Sequence, residues 1–181
     1  MDGGVLVVSN HQSHLDPVLV GLAVDRRMSY LARKTLFDFA PLRWIILSLG
    51  GIPLDLEGGG LSGIKEALKR LKREEMILVF PEGTRCRDGE IATFKPGFCA
   101  LARRSKITLL PVAIDGAFQT WPRTRPVPGF GTVHVRLGEP MSAEEIASFE
   151  DDGDLVAEVE RRIREGHKNV REGRLRAIGG L

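Results

Sequence analysis

Apolar residues along this 181-residue chain fall into two patterns, short unbroken runs and stretches that recur at three and four positions. Val5-Leu6-Val7-Val8 and Met76-Ile77-Leu78-Val79-Phe80 are unbroken runs of the length expected for strands buried on both faces. Leu109 to Ile114 reads the same way despite Pro111, Met28 to Ala32 predicts a further strand, and Ile52-Pro53-Leu54-Asp55 is extended. Val133-His134-Val135-Arg136-Leu137 alternates at period two, which suits a strand at the edge of a sheet. Between these runs the period changes. Asp16-Pro17 opens a helix with proline in the first turn, and Val18, Leu19, Leu22 and Ala23 form its apolar stripe. Leu36 to Leu49 has helical spacing that Gly50-Gly51 ends. Ser62 to Arg73 places Ile64, Ala67, Leu68 and Leu71 on one face and basic residues on the other. Gly97 to Arg104 predicts another helix, and Asp154 to Arg174 a charged terminal one with Leu155, Val159 and Ile163 facing inward. Strands alternating with helices predict an α/β fold with a mixed, mostly parallel sheet flanked by helices. The length favours one domain over residues 1–181.

Composition narrows the class. An apolar fraction of 43% with 28% charged residues is that of a chain that folds. The formal net charge of +2 gives no reason to expect nucleic acid. Cys86 and Cys99 have no CxxC spacing, so neither a zinc site nor a disulfide framework is indicated and a reducing, cytoplasmic setting is expected. The longest uncharged apolar run, Trp44 to Leu54, has eleven residues, against the roughly 20 that span a bilayer. With Val5 so close to the start, neither a signal sequence nor a preceding anchor is expected. Arg26, Arg27, Arg33, Lys34 and Arg43 surround the aromatic-rich segment Phe37 to Trp44. That is the composition of a surface resting on anionic lipid, and equally of solvated arginines beside a core helix.

Chemistry is expected where the strands end in polar turns. After Val5 to Ser9 comes Asn10-His11-Gln12-Ser13-His14-Leu15-Asp16. An imidazole is the side chain best matched to removing a hydroxyl proton near neutral pH. A carboxylate five residues on can return to its Nδ1–H, fixing the tautomer and stabilising the imidazolium. His11 and Asp16 are therefore candidates for a base and its orienting carboxylate. A hydrogen-bonding loop histidine is the plainer alternative, and metal binding by the His11/His14 pair is a third, for which no further ligand stands out. No GxSxG elbow occurs, so no protein nucleophile is indicated and direct transfer from a ternary complex is favoured. The second turn is Phe80-Pro81-Glu82-Gly83-Thr84-Arg85. Arg85 offers a planar fork for phosphate, Gly83 permits close backbone approach, Thr84 can donate to a phosphate oxygen, and Glu82 could orient the arginine or bind a hydroxyl.

The two turns, with Leu110-Pro111-Val112-Ala113-Ile114, resemble in order and spacing the signature blocks of the glycerolipid acyltransferases, particularly the 1-acyl-glycerol-3-phosphate acyltransferases. Lys34-Thr35-Leu36-Phe37, Phe94-Lys95-Pro96-Gly97 and Leu137-Gly138-Glu139-Pro140 extend the likeness, which covers about residues 5–145. The resemblance implies the glycerolipid acyltransferase fold. It implies acyl transfer from acyl-CoA or acyl carrier protein, as co-substrate rather than cofactor, to the free hydroxyl of a lysophospholipid. The place would be the inner face of the cell membrane, with the protein peripheral to it. In that reading His11 is the base and Asp16 its partner. Glu82, Gly83, Thr84 and Arg85 form the acceptor phosphate site, with Lys95 a further cation. Leu36 to Leu54 is expected to wall an acyl channel. One block departs from the pattern: Gly50-Gly51-Ile52-Pro53-Leu54-Asp55-Leu56 puts Leu56 where a phosphate-contacting arginine is expected. That omission makes another head group, such as that of a lyso-ornithine lipid, a competing acceptor. A domain that binds phosphate or lipid without turnover is the rival of a different class.

Overall fold

A computed structural model of the chain describes residues 3–38, 43–44, 46–47, 50–54 and 61–179. The unbroken apolar runs form the middle of a six-stranded sheet. The strands are β1 (Val5–Ser9), β2 (Met28–Arg33), β3 (Gly51–Leu54), β4 (Met76–Val79), β5 (Thr108–Asp115) and β6 (His134–Leu137), in the order β3-β2-β4-β1-β5-β6. The first five run parallel, and β6 pairs antiparallel with β5 at the edge, where its period-two pattern placed it. All of β1 and β4 is buried, as an unbroken apolar run requires when both faces of a strand are covered.

Two apolar layers lie against opposite faces of the sheet. Leu6, Val8, Ile77, Val79 and Leu109 face helices α2 (Leu61–Leu71), α3 (Cys99–Ser105), α5 (Ala143–Ser148) and α6 (Asp152–Gly179). Val5, Val7, Leu78, Leu110 and Val112 face Val20 of α1 (Asp16–Leu22) and Ala117 of the short helix α4 (Ala117–Thr120). The chain leaving β1 passes over β4 to reach β2, and the chain leaving β4 passes over β1 to reach β5. Val8 is level with Val79 and with Pro111. Both polar turns therefore emerge side by side at the carboxyl end of the parallel strands, where connections diverging in opposite directions open a crevice.

Three sequence expectations change. On α1, Val20 is buried while Leu22 is 80% and Val18 38% exposed, so of the expected stripe of Val18, Leu19, Leu22 and Ala23 only Leu19 packs against the core. The continuous helix expected over Leu36 to Leu49 gives way to a 3-10 turn at Lys34–Phe37, with helical geometry at 43–44 and 46–47. The remainder of that stretch lies outside the described residues, as do Leu56 and much of the proposed channel wall. The terminal helix is longer than Asp154 to Arg174. It buries Leu155, Val159 and Ile163 as expected, and also His167, Val170 and Arg174. Among the described residues no helix is long and apolar enough to cross a membrane.

Candidate active site

Beyond β1 the chain leaves the sheet, and the buried N–H and carbonyl of Ile114 on β5 need other partners. Asn10 supplies them with its side chain: Nδ2 donates to the Ile114 carbonyl at 2.9 Å, and Oδ1 accepts from the Ile114 N–H at 2.8 Å. The amide thus continues the β1–β5 ladder by one step. His11 is held from the other side, its N–H donating to Glu82 Oε1 at 2.7 Å and its carbonyl accepting from Cys86 N–H at 2.8 Å. The chain then closes around Asp16. Its Oδ2 accepts from Gln12 N–H at 2.6 Å, from Ser13 N–H at 2.7 Å and from the His11 ring at Nδ1, 2.8 Å away.

That convergence fixes the tautomer. A carboxylate oxygen only accepts, so Nδ1 carries the proton and Nε2 presents a lone pair. The ring lies flat on Phe80, with centroids 3.9 Å apart and planes 13° from parallel. The His11 side chain is 19% exposed and that of Asp16 fully buried. The arrangement is a base with one open nitrogen, backed by a carboxylate screened from water, and it can take a proton from a hydroxyl brought to Nε2.

The turn after β4 forms the facing wall. Gly83 has φ of +72°, a conformation disfavoured for other residues, and a Cβ there would come within 3.2 Å of Lys95 Nζ. The lysine amine thus lies over the turn. Thr84 is exposed and Arg85 half-buried, its Nη1 buried without a hydrogen-bond partner. Burial, with the positive charge of Arg123 second, pushes the guanidinium pKa down. Arg85 also acts on His14, whose pKa is lowered first by burial and then by that charge. His14 packs at 5.3 Å against the Trp121 ring. Among the described residues no group of three or more His, Cys, Asp or Glu is disposed to hold a metal ion.

Glu82 departs from its expected role. It is 3% exposed, and its two oxygens accept from His11 N–H and from Ala92 N–H at 2.9 Å, so it braces the two turns from behind and makes no hydrogen bond or ion pair with Arg85 among the described residues. Burial raises its pKa to about 7 against the opposing pull of those two N–H groups. Asn10, Gln12, Phe80, Trp121 and Arg123 had drawn no functional reading. Asn10 and Gln12 stood in the first turn's motif, whereas nothing in the sequence places the Trp121 loop, more than a hundred residues on, beside His14.

A family model described as Acyltransferase matches residues 1–115. The chain belongs to that family. It is 27% identical over 168 residues to a 1-acyl-sn-glycerol-3-phosphate acyltransferase of Bacillus subtilis, covering 91% of this chain and 81% of that one. With the enzyme of that name from Pseudomonas aeruginosa it shares 31% identity over 144 residues, 77% of this chain and 54% of the other. The chain spans only 40% of the length of a chloroplastic relative from Arabidopsis thaliana, at 26% identity and with 77% of this chain covered. The crystal structure of the 1-acyl-sn-glycerophosphate acyltransferase PlsC from Thermotoga maritima superposes with a TM-score of 0.79 at 28% identity, over 94% of this chain and 68% of that one. The sheet order and flanking helices described above thus belong to the fold expected from the motifs.

Proposed function

We propose that this acyltransferase moves an acyl group from acyl-CoA or acyl carrier protein to the free hydroxyl of a lysophospholipid, with 1-acyl-glycerol-3-phosphate the acceptor and phosphatidic acid the product. The observation that carries the reading is the His11–Asp16 pair at 2.8 Å, open at Nε2 and level with the Gly83–Arg85 turn. The named activity of the relatives supports it. His11 Nε2 takes the hydroxyl proton as the oxygen attacks the thioester carbonyl carbon, and buried Asp16 stabilises the imidazolium. The tetrahedral intermediate collapses with loss of the carbon–sulfur bond, and the imidazolium returns its proton to the departing thiolate. Arg85, Lys95, Thr84 and the Gly83 backbone hold the acceptor phosphate.

A peripheral position at the inner face of the cell membrane suits a lipid acceptor. Exposed Arg43, Trp44 (80%) and Leu47 (50%) support it, because an aromatic and an aliphatic side chain beside a cation match the bilayer interface. The direct test incubates the protein with mixed lysophospholipids and acyl-CoA or acyl carrier protein, follows thiol release, and identifies lipid products by mass spectrometry. Wild-type turnover lost in His11→Ala is the expected result. Full activity in His11→Ala, or lysolipid binding with no turnover against either thioester, defeats the proposal.

A further inference from the structure

Several arginines of the fold are matched to acid: Arg70 to Glu66, Arg103 to Asp152, Arg162 to Glu158, Arg164 to Glu160, Arg174 to Asp115. Arg85, Lys95 and Arg123, on the loops around the His11 turn, form no ion pair among the described residues. Arg85 precedes Cys86, whose N–H is bonded to the His11 carbonyl, and Arg123 lies two residues beyond Trp121, whose ring packs against His14, so the two cations stand on the two loops that flank the His11 turn. The turn carrying Arg123 is anchored to the His11 turn. Ser13 Oγ donates to the Trp121 carbonyl at 2.8 Å, Trp121 Nε1 donates to the Arg125 carbonyl at 3.0 Å, and Gly129 N–H closes the loop on the Thr120 carbonyl at 2.8 Å. Two guanidinium groups on flanking loops, neither ion-paired to a carboxylate among the described residues and one with a buried unpartnered Nη1, make an arrangement that a bound anion would complete.

Building on the phospholipid-acceptor reading, we propose that Arg123 joins Arg85 in holding a terminal phosphate monoester of the acceptor. It supplies from the Trp121 loop the charge that the block ending in Leu56 omits. A monoester dianion offers three terminal oxygens to two planar forks, whereas a phosphodiester offers two oxygens and one charge. Arg123 therefore sets preference between head groups, and the competing lyso-ornithine acceptor, which has no phosphate, is disfavoured.

The test compares Arg123→Gln, Arg123→Lys and Arg85→Gln with wild type on 1-acyl-glycerol-3-phosphate and on lysophosphatidylglycerol, a diester. Arg123→Gln is expected to raise KM for the monoester about 10- to 100-fold. Its kcat should stay within about twofold, its thermal midpoint should not move, and its KM for the diester should change less than about threefold. Arg123→Lys should recover part of the loss. An unchanged monoester KM in Arg123→Gln beside a raised one in Arg85→Gln overturns the role of Arg123 and leaves the acyltransferase reading intact. Equal losses on both acceptors overturn it too. If wild type turns over no lysophospholipid, that reading fails instead, and calorimetric titration with glycerol 3-phosphate decides the site. Binding at least tenfold weaker in Arg123→Gln supports it, and equal binding overturns it.

Discussion

Asp16 Oδ2 receives two backbone N–H groups and the imidazole on a single oxygen, while Oδ1 is buried with no hydrogen-bond partner. In Asp16→Asn the amide oxygen can take over the Oδ2 position and keep all three contacts, so the turn and the histidine tautomer survive. What is lost is the negative charge facing the imidazolium, and the amide nitrogen is left in the buried Oδ1 position, which has no hydrogen-bond partner. The expected outcome is a fall in kcat of about 10²- to 10⁴-fold with KM little changed, and a stability loss of about 1–3 kcal/mol from the stranded donor. Thiol-release kinetics and urea denaturation check the two parts, and unimpaired kcat would remove Asp16 from the mechanism. Glu82 makes a pH prediction. Its folded pKa of about 7 lies above the ordinary 4.5, so between those values the folded state binds the proton that the unfolded chain has released. Stability contributed by neutral Glu82 is present at low pH and lost as pH rises toward 7. Asp16 and Arg164 also act on Glu82, and His14, with its lowered pKa, acts on stability in the opposite sense over the same window. The informative quantity is therefore the difference between wild type and Glu82→Gln, whose stability should fall less between pH 5 and pH 7 in urea titrations.

Between β1 and β5, Asn10 acts as an extra rung of the ladder. Asn10→Ala leaves the Ile114 N–H and carbonyl buried and unpaired, so a loss of about 2–3 kcal/mol is expected, read as a lower urea midpoint at constant slope. Turnover should fall with it, since the same rung sets where His11 leaves the sheet. The central strands β1, β4 and β5 were legible because a strand covered on both faces leaves an unbroken apolar run, and edge strand β6 because it alternates at period two. Helices α2 and α3 were legible because their stripes face the thick side of the sheet. Helix α1 was not, because it covers the thin side with Val20 and leaves Leu22 at 80% exposure, so periodicity named the wrong face. The two turns stood out in the sequence because each keeps its candidate groups within five residues. Arg123 and Trp121 did not, because loop closure far along the chain brings them there and a local pattern carries no trace of it.

At the scale of the whole molecule, α6 is fastened to the end of β5 by charge as well as by its apolar face. Asp115 is fully buried, with Arg174 Nε at 2.6 Å, Arg171 Nε at 3.3 Å and His167 Nε2 at 3.4 Å. Burial alone would raise its pKa, but the hydrogen bonds and charges of His167 and Arg174 hold it well below the usual carboxylate range. These partners are 52 to 59 residues away in sequence, on a helix read there only as charged with Leu155, Val159 and Ile163 inward. The cluster reaches the candidate site, since His167 Nε2 lies 3.3 Å from Gln12 Nε2 and Gln12 also donates to the Gly89 carbonyl at 3.1 Å. Removing one member of a buried ion pair costs more than removing both, because the survivor keeps its desolvation cost without its partner. Asp115→Asn should therefore destabilise the protein by about 3–5 kcal/mol. Adding Arg174→Met should return part of the loss by taking away the stranded guanidinium. Wild-type stability from Asp115 is present above its unfolded pKa and disappears only as pH falls through its lower folded value. The wild-type advantage over Asp115→Asn should accordingly hold from pH 8 to pH 5 and narrow in acid. Equilibrium denaturation of the two single variants and the double variant across that range tests the coupling. A single variant within about 1 kcal/mol of wild type, or a double variant no more stable than Asp115→Asn, would show that α6 is held by its apolar face alone.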